Sequence, residues 1–331
     1  MNSNNKEGLG KFFSFFSKKT DDTIPVEQPV ERKSSVYDMR VQEAMWMPTA
    51  EEQQDALRVL ADEFFAAEPH EADIPAEDAL KFYKNGGFVL GILGQYDKAI
   101  AYYDCAVAAN ADDSYSYFGR GNVWRDNGEY QKAIMDYKRA IAIEPENADF
   151  FCQMGAAYLQ MGIYNEAIDC YSKAIDINPY SSVNLAGRAL AYLQTNKWDE
   201  ALADYDAAID LEPFDSELFY GRATIYIYRK EFDKALEDCE EALEINPEEA
   251  RYHFLKGNAL FEMKHTDKAI DAYSTAIDNQ PESPLYYYGR GQAYLANGEE
   301  EKALADLEKS KVLDDTNTIL IQEQMDRTKV N

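Results

Sequence analysis

"DFFCQMGAAYLQMGIYNEAIDCYSKAIDINP", residues 149–179, is the stretch whose reading decides the fold. It holds two apolar segments of helical period, closed by Pro179. The small residues Gly155, Ala167 and Ala174 would let two helices approach closely. Phe151, Tyr158 and Tyr171 would fill the space between them. The proline stops the second helix, because it lacks the N–H that the hydrogen-bond ladder needs.

The same stretch recurs along the chain. Ala99, Ala133, Ala167, Ala201, Ala235, Ala269 and Ala303 follow one another at 34 residues, without an insertion or deletion. A second alanine lies seven residues on, from Ala106 to Ala276, and prolines keep the beat at Pro145, Pro179, Pro213, Pro247 and Pro281. Tyr103, Tyr137, Tyr171, Tyr205 and Tyr273 repeat between them. A unit of this length cannot bury its apolar face alone and must stack on its neighbours. Seven units fit between residues 80 and 316.

Length and pattern together resemble the tetratricopeptide repeat. In residues 148–181 the matching positions are Phe151 at four, Gly155 at eight, Tyr158 at eleven, Ala167 at twenty and Pro179 at thirty-two. The resemblance implies an all-α fold, a right-handed superhelical solenoid of antiparallel helix pairs. Its concave face would be lined by the first helix of each pair. The expected organisation is a disordered N-terminal segment and linker over 1–36, an N-terminal capping helical segment over 37–79, seven repeats over 80–316 and a capping helix over 317–331. Within the first, residues 8–19, "GLGKFFSFFSKK", place Leu9, Phe12, Phe13 and Phe16 at helical spacing beside Lys11, Lys18 and Lys19. Apolar burial with attraction to anionic lipid is how interfacial helices bind membranes, so weak peripheral contact with a membrane is expected of this segment. A disordered tail, or docking on a partner or on the chain's own groove, is the alternative. Thr49 with Glu52 forms a capping-box pattern, so a helix should follow with Leu57, Leu60, Ala61 and Phe64 on one face. The pattern leaves a degenerate extra repeat open as well.

Composition narrows the function. The formal net charge of −28 repels phosphate backbones, so no nucleic-acid partner is expected. Four cysteines without CxxC spacing read as reduced, packed thiols of a cytoplasmic protein. His70, His253 and His265 lie far apart in sequence, and no nucleophile, metal-ligand or phosphate-loop motif occurs. The expectation is a protein that is not an enzyme, holds no cofactor or metal, and lies in the cytoplasm or at the inner face of a membrane.

One correlation runs inside the repeats. Four of them carry glycine at position six (Gly119, Gly187, Gly221, Gly289), arginine at seven (Arg120, Arg188, Arg222, Arg290) and aspartate at twenty-three (Asp136, Asp204, Asp238, Asp306). The other three lack all of these, with Asn85, Gly86 and Tyr102; Gln153, Met154 and Cys170; Leu255, Lys256 and Ala272. That covariation predicts an Arg–Asp bridge between the two helices of a repeat. The alternative has the arginines lining a groove for acidic ligands. The glycines would give room to the guanidinium, to close helix packing, or to the groove.

The resemblance implies partner contacts at positions two, five, nine and twelve. From these the expected partner-binding residues are Lys84, Phe88, Tyr115, Phe118, Asn122, Arg125, Leu190, Tyr220, Phe254, Asn258 and Tyr288. Their variety, against a constant framework, is where information about a partner would reside. No three consecutive repeats carry the lysine and asparagine set that grips a terminal carboxylate in chaperone-tail-binding members. Only Asn85 stands at position six, where other members use an asparagine ladder on peptide backbone. The expected function is therefore a scaffold or adaptor that holds a protein or peptide segment by side-chain contacts. A chaperone or assembly factor shielding an apolar client segment is the alternative.

Overall fold

The computed structural model describes residues 36–65 and 76–313, in sixteen helices, with no strand among the described residues. The chain divides into two compact units, one ending at Tyr180 and the other beginning at Ser181. In the first lie α1 (Val36–Met45), α2 (Ala50–Phe64), α3 (Ala76–Ile92), α4 (Tyr96–Ala109), α5 (Ser114–Asp126), α6 (Tyr130–Ile143), α7 (Ala148–Gln160) and α8 (Tyr164–Ile177). In the second lie α9 (Ser182–Gln194), α10 (Trp198–Leu211), α11 (Ser216–Tyr228), α12 (Phe232–Ile245), α13 (Ala250–Glu262), α14 (Thr266–Asn279), α15 (Pro284–Ala296) and α16 (Glu300–Leu313). From α3 onward the helices pair as hairpins that keep the 34-residue period, and within each unit every hairpin packs on the next. The segment 8–19, its linker, the region 66–75 and the expected C-terminal helix lie outside the described residues.

Each hairpin turns at position fifteen, where the backbone is left-handed. Gly94, Gly128, Gly162 and Gly298 supply it in four hairpins, with φ of 72–80°, but Asn196, Lys230 and Lys264 take φ of 59°, 58° and 65° in the others. First helices start on a polar cap at position thirty-four. Asp113 accepts from the Ser116 amide at 2.8 Å, Asn147 from Asp149 at 3.1 Å and Asp215 from Glu217 at 3.1 Å.

The tyrosines at position twenty-four form the framework of each stack. Tyr137, Tyr171 and Tyr205 have no exposed surface, and Tyr103 is 5% exposed. Each faces a small residue of its own first helix: a Cβ on Gly121 would lie 2.7 Å from the Tyr137 ring. The next hairpin also yields to the ring. A Cβ on Gly119 would lie 2.4 Å from Tyr103, and one on Gly221 2.4 Å from Tyr205. At Gly119, Gly221 and Gly289 the position-six glycine is therefore explained by close packing against the preceding hairpin's tyrosine. Where Leu255 replaces glycine, the preceding hairpin carries Cys239 instead of tyrosine, and the two pack in one buried cluster.

The expected Arg–Asp bridge is present in all four repeats. Arg120 donates through Nε and Nη2 to Asp136 at 2.8 and 2.7 Å, and Arg188 to Asp204 at 2.8 and 2.8 Å. Arg222 does so to Asp238 at 2.9 and 2.7 Å, and Arg290 to Asp306 at 2.7 and 2.9 Å. The third arm, Nη1, reaches the preceding hairpin: Asp104 at 2.5 Å, Asp206 at 2.7 Å and Ser274 at 3.0 Å from Arg120, Arg222 and Arg290. One guanidinium thus ties its own helices together and joins them to the previous pair. The three remaining repeats fill the same place differently. Gly86 lies under the Tyr102 ring, Met154 and Cys170 join an apolar cluster, and Lys256 keeps only the outward contact, to Glu240 at 3.0 Å.

At the N-terminal end, the Glu52 amide donates to the Thr49 hydroxyl at 3.2 Å, and that hydroxyl donates to the Glu52 carboxylate at 3.0 Å. Leu57, Leu60 and Ala61 of α2 are buried with Val41 and Ala44 of α1, and the cluster continues through Phe65 into Phe82, Val89 and Leu90 of α3. Phe65 meets Tyr102 edge-on at 5.7 Å between centroids, occupying the end of the stack where the first repeat has no Arg–Asp pair.

Candidate partner-binding face

Position five is where the sequence places its aromatics, and the framework takes most of each of them. In the first unit, Phe118 is half-buried between Phe150 of the next hairpin, at 4.9 Å, and Tyr137, at 5.9 Å. In the second, Tyr220 stacks on Tyr252 at 5.3 Å, and Phe254 on Tyr286 at 5.1 Å and Tyr273 at 5.6 Å. Tyr288 packs on the buried Leu307. The pattern joins position five of one hairpin to position three of the next, so these rings help to hold consecutive hairpins together.

Position nine behaves likewise. The Asn122 side chain accepts from the Tyr137 hydroxyl at 2.8 Å, and Asn258 from Tyr273 at 2.8 Å. Leu190 is 9% exposed. Phe88 is the exception at 39% exposed. The face's cations also have partners. Lys84 pairs with Asp113 at 3.2 Å and lies 5.9 Å from the Tyr115 ring centre. Arg125 donates to Gln153 and pairs with Asp126 at 2.7 Å.

Two further groups shape this face. Arg251, at position two, lies over the Tyr220 ring at 5.2 Å and donates to Glu217 at 2.6 Å and Glu249 at 2.9 Å. The Tyr252 hydroxyl donates to the same Glu217 carboxylate at 2.8 Å. Burial pushes the Tyr220 phenol up to about 12, although Arg251 pulls it the other way. It is a neutral donor at physiological pH.

What remains outward in the first unit is Phe88, Tyr115, which is half exposed, and Ile92 at 45% exposed. Lys84, Phe88 and Ile92 follow at i, i+4 and i+8 on α3, so they share one stripe. In the second unit, Tyr228 is 55% exposed and Leu285 lies at the edge. Ile92 and Tyr228 both stand at position thirteen, outside the set that the resemblance implies. The signal was available: each follows position nine by four residues on a first helix.

The chain's negative charge is carried elsewhere. The second helix α10 holds five carboxylates and no lysine or arginine, and α12 holds six carboxylates with one lysine. The first helices α9 and α15 hold one arginine each and no carboxylate. The first-helix face is thus nearly neutral and rich in aromatic rings. Among the described residues there is no group of three metal-binding side chains, and no helix is long and apolar enough to cross a membrane. Burial pushes the thiols of Cys152, Cys170 and Cys239 up to about 12, which leaves them unreactive.

Family models for the tetratricopeptide repeat match residues 121–162, 148–181, 216–249 and 254–317. The chain belongs to the tetratricopeptide repeat family. Solved structures agree on the fold. A tetratricopeptide repeat protein from Parabacteroides merdae aligns with a TM-score of 0.62 and 19% identity, over 76% of this chain and 99% of that one. Yeast Tom70 aligns with a TM-score of 0.61 and 16% identity, over 98% of this chain and 72% of that one. No curated protein matches the sequence. Repeats of this family are interaction modules, so the chain is a protein-interaction scaffold in the general sense.

Proposed function

We propose that this chain is a non-enzymatic scaffold that holds a peptide or helical segment of a partner protein on the first-helix face, by apolar and aromatic contact. The observation that carries the proposal is the stripe of Phe88 and Ile92 with Tyr115 beside it. These side chains stay outward on a face where the lysine and arginine already have carboxylate partners. Exposed aromatics at such a place are typical anchors for a partner. A charged tail would find few uncommitted cations there, so the recognised segment is apolar. Shielding of an apolar client during assembly would use the same surface. A stable stoichiometric complex supports the scaffold, and suppressed client aggregation without such a complex supports the chaperone.

The test is affinity capture with intact protein and with a Phe88→Ala, Tyr115→Ala double variant. Both side chains are substantially exposed, so the far-ultraviolet circular dichroism of the variant should match the parent. Partners held by the intact chain should be lost or weakened more than tenfold in the variant. Equal retention would remove this face from the proposal.

A further inference from the structure

The outer surface of the α1–α2 hairpin does not look like the end of a stack. A terminal unit in a repeat array needs a polar outer face to stay soluble. Here Met39 is 47% exposed, Trp46 86%, Met47 41% and Val59 55%. These four large apolar side chains stay exposed on one thirty-residue element whose buried residues pack on α3. A bare tryptophan flanked by methionine is an adaptable apolar seat, and both residue types take aromatic partners well.

The same element is acidic. Residues 36–65 hold seven carboxylates against two arginines. Both arginines have carboxylate partners, Arg40 with Glu63 at 2.7 Å and Arg58 with Asp55 at 3.0 Å. Glu43, Glu51 and Asp62 are exposed and make no ion pair among the described residues. An anionic membrane or an acidic partner would be repelled by such a surface. A basic segment carrying large apolar side chains would be drawn to it.

The chain contains a segment of that chemistry a short distance away. Residues 8–19 hold Leu9 and four phenylalanines with Lys11, Lys18 and Lys19, and no carboxylate. Sixteen residues separate Lys19 from Val36, an extended reach of about 55 Å. The fifteen residues of α2 span about 22 Å, so every point of the hairpin lies within that reach. Tethering at this length gives an effective concentration on the order of millimolar. We infer that residues 8–19 dock on the outer face of the α1–α2 hairpin, with the phenylalanines against Trp46, Met47, Met39 and Val59 and the lysines beside Glu43, Glu51 and Asp62. The segment is then withheld from membranes and partners while it is docked, and it completes the end of the stack.

Photo-cross-linking in the full chain tests this. p-Benzoylphenylalanine replaces Phe13, and the cross-linked products are mapped by mass spectrometry. The expected product is intramolecular, joins position 13 to residues 36–65, and has a yield independent of protein concentration. It should fall as salt rises. A Trp46→Ala, Met47→Ala variant should lower it by about tenfold or more while leaving helical content unchanged. Cross-links to the first-helix face around Phe88, cross-links only between copies, or no cross-link would each overturn the inference. Association of the full chain with anionic vesicles, unaltered by the Trp46→Ala, Met47→Ala change and without the hairpin cross-link, would overturn it in favour of a membrane anchor.

Discussion

The hairpin α11–α12 and its successor α13–α14 meet the same packing requirement with different side chains. In the first, Arg222 forks onto Asp238 and reaches back to Asp206, and Gly221 lies under the Tyr205 ring. In the second, Ala272 removes the acceptor and Lys256 keeps only the contact to Glu240, while Leu255 fills the space beside Cys239. The changes come as matched sets. A residue lost from one helix is answered by its partner on the other helix or on the previous hairpin. Framework positions are therefore coupled across repeats, and the residues free to serve a partner are those outside that coupling.

The strongest way to break the comparison is to give one hairpin half of the other's solution. Asp238 is 4% exposed, and Asp238→Ala leaves the Arg222 guanidinium without its fork. The expected loss is about 3–5 kcal/mol in chemical denaturation. Adding Arg222→Lys, which copies the Lys256 and Ala272 arrangement, should recover a measurable part of it, because the lysine can turn to Asp206. If the two changes simply add, the coupling is absent and the shared loss of arginine and aspartate needs another cause.

Next in size is the ring against the glycine. Gly221→Leu places a side chain where Tyr205 already lies, and overpacking of this kind costs about 1–3 kcal/mol. Tyr205→Cys alone opens a cavity. The double variant copies Leu255 with Cys239 and should be more stable than either single change. A double variant no better than the sum of the singles would show that these two positions do not compensate.

The Arg–Asp bridge was legible because the period supplies seven internal comparisons, and a contact within one repeat shows up as covariation within it. The reason for the glycines was hidden, since the ring that requires them belongs to the preceding repeat, which the eye aligns separately. The packing of the aromatics at position five was hidden for a related reason. Phe118, Tyr220 and Phe254 stand on the first helices, but their exposure is decided by position three of the next hairpin. At Phe150, Tyr252 and Tyr286 that position is aromatic. The cap of α2 was readable from Thr49 and Glu52, which are local. The apolar outer surface around Trp46 was not, because it depends on which side of the hairpin packs on α3.

A smaller effect separates tyrosines that look alike in sequence. The Tyr137 hydroxyl donates to Asn122, whereas the Tyr205 hydroxyl is buried without a partner among the described residues. Leu190, at the place of Asn122, offers no acceptor. Tyr137→Phe should cost about 1–2 kcal/mol, since it also leaves the asparagine carbonyl unmatched. Tyr205→Phe should be neutral or slightly stabilising. Equal losses at both sites would mean that the Tyr205 hydroxyl has found an acceptor, such as an ordered water.

The smallest expected effect lies in the turns, and it has the opposite sign. Lys264 holds a left-handed backbone at φ 65°, where its counterpart in the first repeat is Gly94 at φ 72°. An L-residue with a Cβ pays roughly 1–2 kcal/mol for that conformation. Lys264→Gly removes this strain but returns freedom to the unfolded chain, which costs about 0.4–1 kcal/mol. The balance is a gain of up to about 1.5 kcal/mol. Gly94→Lys should lose a similar amount, because a Cβ there meets nothing within 4 Å and only the backbone strain is added. Lys230→Gly, at φ 58°, should repeat the gain. The measurement is the denaturant midpoint at constant slope, compared between the two directions of exchange. A midpoint that falls for Lys264→Gly would mean that the lysine side chain contributes more than its backbone costs; its ammonium lies 5.7 Å from the Phe261 ring centre. Lys264→Ala then separates the two terms, since it keeps the strained backbone and loses only the contact with the ring.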